Sequence, residues 1–474
     1  MINTIRKFFV FILFFIFINQ IASADQIQQI IRHQMPTATI GIVVLDNKTG
    51  RLLYQRNGFH YFTPASNVKL FTAAAGLFKL GPNFHYYTLI AYNSKQLQSG
   101  VLNGNLYVIF NGDPSLQAQD LQSLLQQVSR KGIRRITGNV IIDDSHFQKP
   151  YYAPGWSQDD LPWYFAAPVS AVILNENAFV ARLTVTRNQA NWATVRGSNG
   201  SQYLNVTGRV QLVSHAYAKK HCSLLIENER NRIYLSGCWP RFPRGQAADL
   251  KLAVPKPELY AIRVVAATLK QNGIAVRGQI TTGKTPPQQT ILASHASQPL
   301  SILMQHMLKK SDNLYAESLL KTLAYQSDKS GTFQEGANVV KAVLQQHTNI
   351  DFNKTRLVDG SGESNYDLVT PYQIAQLLYT MRHVPKLNKI YDAALAISGK
   401  DGTLKYRLNT AGLARHIHAK TGTLTGVANL SGYLLEGRNH TLIFSILINH
   451  NVKKARAAYR LQNSIISNLT KNYV

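Results

Sequence analysis

The sequence predicts an α+β protein in which a helix-rich domain is interrupted by a large strand-rich insertion. Three observations carry this expectation. An apolar helix begins near Pro64, short alternating strands fill roughly 87–290, and helices return from about Gln298 ahead of a last strand pair and a closing helix. With 474 residues, 45% of them hydrophobic, the chain has apolar material for two or three packed bodies.

Residues 1–24 read as a signal peptide. Arg6 and Lys7 precede the apolar run Phe8 to Ile18, and Ala22-Ser23-Ala24 gives a small-residue cleavage site before Asp25. The run is short of the roughly 20 apolar residues that a spanning helix needs. The expected location is therefore periplasmic after export, at most peripheral to the membrane. The formal charge of +27 would suggest nucleic acid in a cytosolic protein. Export replaces that partner with an anionic envelope polymer or a membrane surface, and a merely solvated basic surface is an equal reading.

Thr37 to Tyr54 is expected to form a hairpin around Asp46 to Gly50. Pro64 then opens a helix through Ser66 and Lys69 to about Leu80, which Gly81-Pro82 stops. Strands are expected at Asn105 to Phe110, Gly138 to Ile142, Phe179 to Val185 and Leu204 to Leu212, with helices near Asp120 to Lys131 and Pro257 to Gln271. Cys222 and Cys238 flank a symmetric hairpin, Ser223 to Ile226 and Ile233 to Ser236, that would set them opposite each other for a structural disulfide. Later helices fall at Ile302 to Leu308, Leu314 to Tyr325 and Pro371 to Met381. The last strands, Ala428 to Leu435 and Leu442 to His450, turn at Gly437 to His440 before a helix over Lys454 to Leu469. The expected domains are 25–86 with 291–474, and an inserted 87–290 in two subdomains.

Three short motifs carry the chemistry: Ser66-Asn67-Val68-Lys69, Ser311-Asp312-Asn313 and Lys420-Thr421-Gly422. Each alone is weak. Ser-x-x-Lys recurs at Ser318 to Lys321 inside a helix, and Lys-Thr-Gly recurs at Lys48 to Gly50 on the hairpin tip. What singles out Ser66 and Lys69 is a helix apolar nearly all round, with both side chains on one face. A serine hydroxyl needs a neighbouring base, and a lysine amine serves when burial and nearby positive charge disfavour its ammonium form. Lys69 is then the base for Ser66, Lys420 supplies the charge, Ser311 relays a proton, and Asn313 contacts substrate backbone or Lys69. The strand from Lys420 can pair with an extended peptide, Gly422 permitting close approach. Thr421 and Thr423 suit a terminal carboxylate, and the backbone N–H groups of Ser66 and Thr423 suit an oxyanion hole.

These motifs, in this order, resemble the signature of penicillin-binding proteins and serine β-lactamases. Over nearly the whole chain the sequence resembles the D-Ala-D-Ala carboxypeptidase/endopeptidase class of low-molecular-weight, class C penicillin-binding proteins, peptidase family S13. The resemblance extends to Gly112 to Leu116, Ile141 to Ser145, Ala153 to Trp156 and Val358 to Gly362, and to the 245-position gap between Ser66 and Ser311. It implies a penicillin-binding transpeptidase/β-lactamase-like domain, an antiparallel sheet with flanking helices, interrupted by inserted domains. It further implies hydrolysis of peptidoglycan stem peptides and cross-links through an acyl-enzyme, inhibition by β-lactams at the same serine, and no metal or organic cofactor. By the same resemblance Asp160 and Phe165 shape the substrate groove.

The chain departs from the family where it reads Glu363-Ser364-Asn365 instead of Leu-Ser-Arg, and at Thr425. These positions bear on stem-peptide preference. Two rival readings are a β-lactamase on the same fold, for which the Glu-x-x-Leu-Asn deacylation signature is missing between Asn313 and Lys420, and a non-catalytic wall-binding protein, against which the complete motif set argues.

Overall fold

Asp46 closes the first hairpin by accepting hydrogen bonds from the backbone N and the hydroxyl of Thr49, at 2.7 and 2.5 Å, and Gly50 takes the left-handed conformation that ends the turn (φ 70°). The hairpin strands are β1 (Thr39–Asp46) and β2 (Leu52–Arg56). The computed structural model describes residues 25–186, 189–229, 232–243, 246–436 and 440–473. The signal-peptide reading of 1–24 and the turn read at 437–439 lie outside the described residues.

Two compact units emerge. The first comprises residues up to Asn83, Leu300–Ala316 and Ala337 onward; the second comprises Phe84–Pro299 and Glu317–Gly336. The first holds a six-stranded antiparallel sheet. Its further strands are β3 (Ala396–Ile397), β4 (Ile417–Leu424), β5 (Val427–Glu436) and β6 (His440–Asn449), in spatial order β3-β4-β5-β6-β1-β2. Its helices include α1 (Val68–Lys79), α2 (Leu300–Lys310), α3 (Asn313–Tyr325, which runs on into the second unit), α4 (Pro371–His383) and α5 (Ala455–Tyr473).

Helices cover both faces of this sheet, so its central strands read as unbroken apolar runs rather than as alternation. On one side Ile27, Ile31, Leu461, Ile465 and Leu469 pack with Ile42, Val44 and Leu430. On the other, Gly41 lets β1 approach α4: a Cβ there would sit 2.6 Å from Phe62 and Pro371 side-chain atoms. Buried hydroxyls bind helix carbonyls on that side, Tyr433 to Leu378 at 2.8 Å and Tyr391 to Leu70 at 2.9 Å.

The second unit contains a six-stranded sheet over 178–253, a five-stranded sheet with strands at Tyr87–Tyr92, Leu106–Ile109, Val140–Asp143, Ile280–Thr282 and Thr290–Ala296, and a small four-stranded sheet. Helices Ala118–Arg130 and Pro257–Gln271 supply Leu121, Leu125, Val264 and Leu269 to its core. Two features differ from the sequence reading. The stretch 317–336 groups with the insertion because its side chains bond there: Ser318 to the carbonyl of Gly112, and Lys321 to the carbonyls of Gln148, Pro150 and Val169. The cysteine hairpin, Leu224–Glu229 with Arg232–Pro240, pairs Leu224 with Gly237, so Cys238 faces Ser223 rather than Cys222. The disulfide forms across this one-residue offset, with Cα atoms 5.4 Å apart.

Candidate active site

The serine of the first motif does not begin the α-helix. Ala65 holds a left-handed backbone (φ 46°), which confines Ala65–Asn67 to a single tight 3-10 turn, and α1 starts only at Val68. A non-glycine residue in this conformation is strained, and such strain concentrates where geometry is set by surroundings. Three side-chain amides fix the surroundings: Asn429 and Asn449 donate to the carbonyl of Thr63 at 3.0 and 3.1 Å, and Asn67 donates to Ser431 at 3.1 Å. The turn is thereby tied to β5 and β6.

Two glycines make room for it. A Cβ on Gly362 would lie 1.9 Å from the carbonyl oxygen of Ala65, and one on Gly422 would lie 2.8 Å from that of Pro64 and 3.2 Å from the backbone N of Ser66. Gly362 belongs to a loop that Asp359 folds by accepting from the N–H of Gly362 and Ser364, both at 2.7 Å. Thr72 of α1 donates to the carbonyl of Gly360 at 2.7 Å. The Val358 to Gly362 motif is thus a buried clasp beneath the serine turn.

Lys69, one turn into the structure from Ser66, is fully buried. Its Nζ donates to Ser66 Oγ at 2.9 Å, to Asn313 Oδ1 at 2.7 Å and to the carbonyl of Ser361 at 2.9 Å. Asn313 opens α3, and its Nδ2 donates to Glu363 Oε2 at 2.9 Å. Ser311 sits in the two-residue link between α2 and α3 with φ 60°, and Asp312 is engaged locally, 3.2 Å from His306 Nε2. Lys420 on β4 is also fully buried. Its Nζ donates to Ser311 Oγ at 2.8 Å and to the carbonyl of Thr421 at 2.7 Å. Burial, and secondarily the charge of Lys69, push its amine well below the ordinary lysine range.

Among the described residues β3 pairs with β4 only at His418 and Ala419, which leaves 420–424 with an open edge on that side. Thr421 is buried and donates to Thr403 at 2.8 Å, whereas Thr423 is exposed and lies 3.2 Å from the Tyr459 hydroxyl.

The structure therefore brings Ser66, Lys69, Ser311, Asn313, Lys420, Thr421, Gly422 and Thr423 together in one unit. Asp160 and Phe165 belong to the other unit. Asp160 caps a turn through its N–H to Ser157, and burial, then Asp159, raise its carboxyl. Phe165 lies in a 3-10 turn, edge-on to Tyr164 at 5.6 Å. Sequence reasoning missed two partners. The Ser361 carbonyl gave no residue-type signal, and Glu363 was visible only as a departure from the family pattern.

The family model described as "D-Ala-D-Ala carboxypeptidase 3 (S13) family" matches residues 23–469. The chain is 33% identical over 418 residues to D-alanyl-D-alanine carboxypeptidase DacB of Haemophilus influenzae, covering 87% of this chain and 85% of that protein. It is 31% identical over 429 residues to a D-alanyl-D-alanine carboxypeptidase of an Actinomadura species, covering 87% and 78%. The crystal structure of penicillin binding protein 4 from Haemophilus influenzae matches with a TM-score of 0.86 at 29% identity, over 94% of this chain and 99% of that one. A second crystal structure of that protein, complexed with a β-lactam, matches with a TM-score of 0.81. With the fold, the length and the motif order all in agreement, this serine-type D-Ala-D-Ala carboxypeptidase belongs to the D-Ala-D-Ala carboxypeptidase 3 (S13) family.

Proposed function

We propose that Ser66 is the residue acylated by substrate and by β-lactams, with Lys69 as its base. The observation that carries this is the single Lys69 amine in reach of both Ser66 Oγ and Asn313 Oδ1, with Lys420 bound to Ser311 beside it. Two buried amines disfavour two ammonium charges, so the pair gives up a proton readily, and in this reading Lys69 takes its free-amine form when Ser66 reacts.

An extended stem peptide adds to the open edge of β4 along 420–424 by backbone pairing. Ser66 Oγ attacks the carbonyl of the penultimate D-alanine and passes its proton to Lys69 Nζ. The N–H groups of Ser66 and Thr423 stabilise the oxyanion. The C–N bond then breaks, and Ser311 Oγ hands a proton to the departing amine while taking one from Lys420 or Lys69. Water hydrolyses the Ser66 ester and regenerates the serine. Lys420 Nζ is enclosed and committed to Ser311, so the exposed Thr423 hydroxyl is the better contact for the terminal carboxylate.

The substrate in this reading is peptidoglycan, with cross-link endopeptidase action alongside carboxypeptidase action, and the protein works in the periplasm after losing residues 1–24. No helix among the described residues is long and apolar enough to cross a membrane. Asp160 and Phe165 contribute to stem-peptide choice. Digesting purified sacculi and weighing the products tests the substrate: free D-alanine as sole product rejects the endopeptidase half. Ser66→Ala labelled normally by fluorescent penicillin rejects the nucleophile.

A further inference from the structure

The six-stranded sheet over 178–253 has two unlike faces. Leu183, Val195, Val210 and Leu235 point into the core, and the residues between them are exposed. Register places the exposed side chains in rows across the strands. Arg182 stands opposite Arg196, Arg196 opposite Thr207, and Thr207 beside Tyr234; in the next row Thr194 stands opposite Arg209. The Arg209 guanidinium lies 4.2 Å over the Trp192 ring on the same face. Neighbouring strands are about 4.8 Å apart, so the three arginines step across adjacent strands at side-chain distance.

The segment that forms this sheet is rich in cations. Residues 178–253 contain 11 Lys/Arg and 3 Asp/Glu, a net of +8 in 76 of the 474 residues, about twice the density of the remainder of a +27 chain. The acids lie on the two edge strands: Asp249, paired with Arg182 at 2.7 Å, on one, and Glu227 with Glu229 on the other. Arg196 and Arg209 occupy the central strands. An exposed β face needs only short polar residues to stay soluble, and guanidinium forks set beside aromatic rings are a recognition surface for planar anions on a polymer.

We propose that this face docks the anionic peptidoglycan mesh itself, through the carboxylates of stem peptides away from the scissile bond. The inference rests on the function proposed above. Charge complementarity selects this occupant: stem peptides carry more carboxylates than amines, whereas a second copy would set Arg196 and Arg209 against the same cations. Docking would raise the local concentration of cleavable stems without any contact to the reacting atoms.

The test compares the full protein with Arg196→Glu/Arg209→Glu and with Arg196→Gln/Arg209→Gln, which keeps fold disruption and charge loss apart. Binding is read by co-sedimentation with purified sacculi at salt between about 0.01 and 0.15 M, and catalysis by hydrolysis of a soluble tripeptide ending in D-Ala-D-Ala. The expected result is salt-sensitive sedimentation of the parent, weakened about tenfold by the reversal and less by the glutamines, with tripeptide hydrolysis unchanged. Sedimentation unaffected by both variants overturns the proposal. So does a parent that binds phosphatidylglycerol vesicles but not sacculi, or an equal fall of tripeptide hydrolysis in both variants. A parent that sediments yet cleaves no tripeptide would instead fault the assigned function.

Discussion

At the scale of single residues, Glu363 is bonded to a residue of the second motif. Glu363 accepts from Asn313 Nδ2 at 2.9 Å, which turns Asn313 Oδ1 toward Lys69. A hydrogen bond to a charged group contributes about 1.5–3 kcal/mol, so Glu363→Leu should slow penicillin acylation of Ser66 by roughly ten- to a hundredfold, with Glu363→Gln recovering most of the loss. Equal acylation rates for Leu and Glu at this position would remove Glu363 from the machinery. A second expectation concerns pH. The free amine is the reactive form, so acylation rises as pH climbs through the base's pKa and levels above it. Two buried amines this close disfavour each other's charge, and the charge of Lys69 is one cause of the lowered Lys420 amine. Lys420→Met should therefore move the rise in residual acylation to higher pH by about one to three pH units; a rise left in place would contradict the two-lysine account. The motif residues were legible because their types are scarce in combination. Glu363 was legible only as an oddity, since its partner lies 50 positions away and nothing in the sequence pairs them.

Elements explain why one Ser-x-x-Lys differs from another. Ser66 precedes α1 on a strained turn that leaves its hydroxyl partly open, while Ser318 sits mid-helix in α3, fully buried, its hydroxyl spent on the carbonyl of Gly112. Ser318→Ala should consequently take up fluorescent penicillin as well as the parent does. Lys321, also buried, gives its amine to three backbone carbonyls; burial pushes it down to about 7, and three acceptors suit the three N–H bonds of an ammonium. Lys321→Met strands those carbonyls and should lower stability by about 1–3 kcal/mol in urea unfolding, again without loss of labelling. Periodicity located the start of α4 at Pro371 as expected, where Thr370 caps it, but did not single out Phe333–His347 or Asn388–Ala394. It placed the helix start at Pro64, four residues before Val68, because Ala65's left-handed backbone is imposed by the Gly362 and Gly422 clasps, which are remote in sequence. The parallel pairing of Asn205–Val213 with Arg232–Pro240 was likewise invisible, since adjacent strands joined by turns read as simple hairpins.

Over the whole molecule, an insertion separates the first and second motifs, and among the described residues one apolar cluster running from Ile27 to Leu469 shares no residue with another running from Ile90 to Ala293. The texture change near 87 and 290 was readable, but the return of 317–336 to the insertion depends on the carbonyls that Ser318 and Lys321 meet, which no local pattern encodes. Two cores imply that unfolding need not be a single cooperative step. The Cys222–Cys238 disulfide closes a loop of 16 positions within the insertion and should contribute about 3 kcal/mol there. A β-lactam bound covalently at Ser66, as proposed above, stabilises the unit that contains Ser66. Differential scanning calorimetry should then resolve two transitions, one lowered by Cys222→Ala/Cys238→Ala and the other raised by penicillin. The cysteine variant should still acylate at the parental rate, because the partners described above for Ser66, Lys69 and Lys420 lie in the first unit. One transition answering both perturbations together would mean that the two cores fold as one body, and the disulfide would then protect the active site as well.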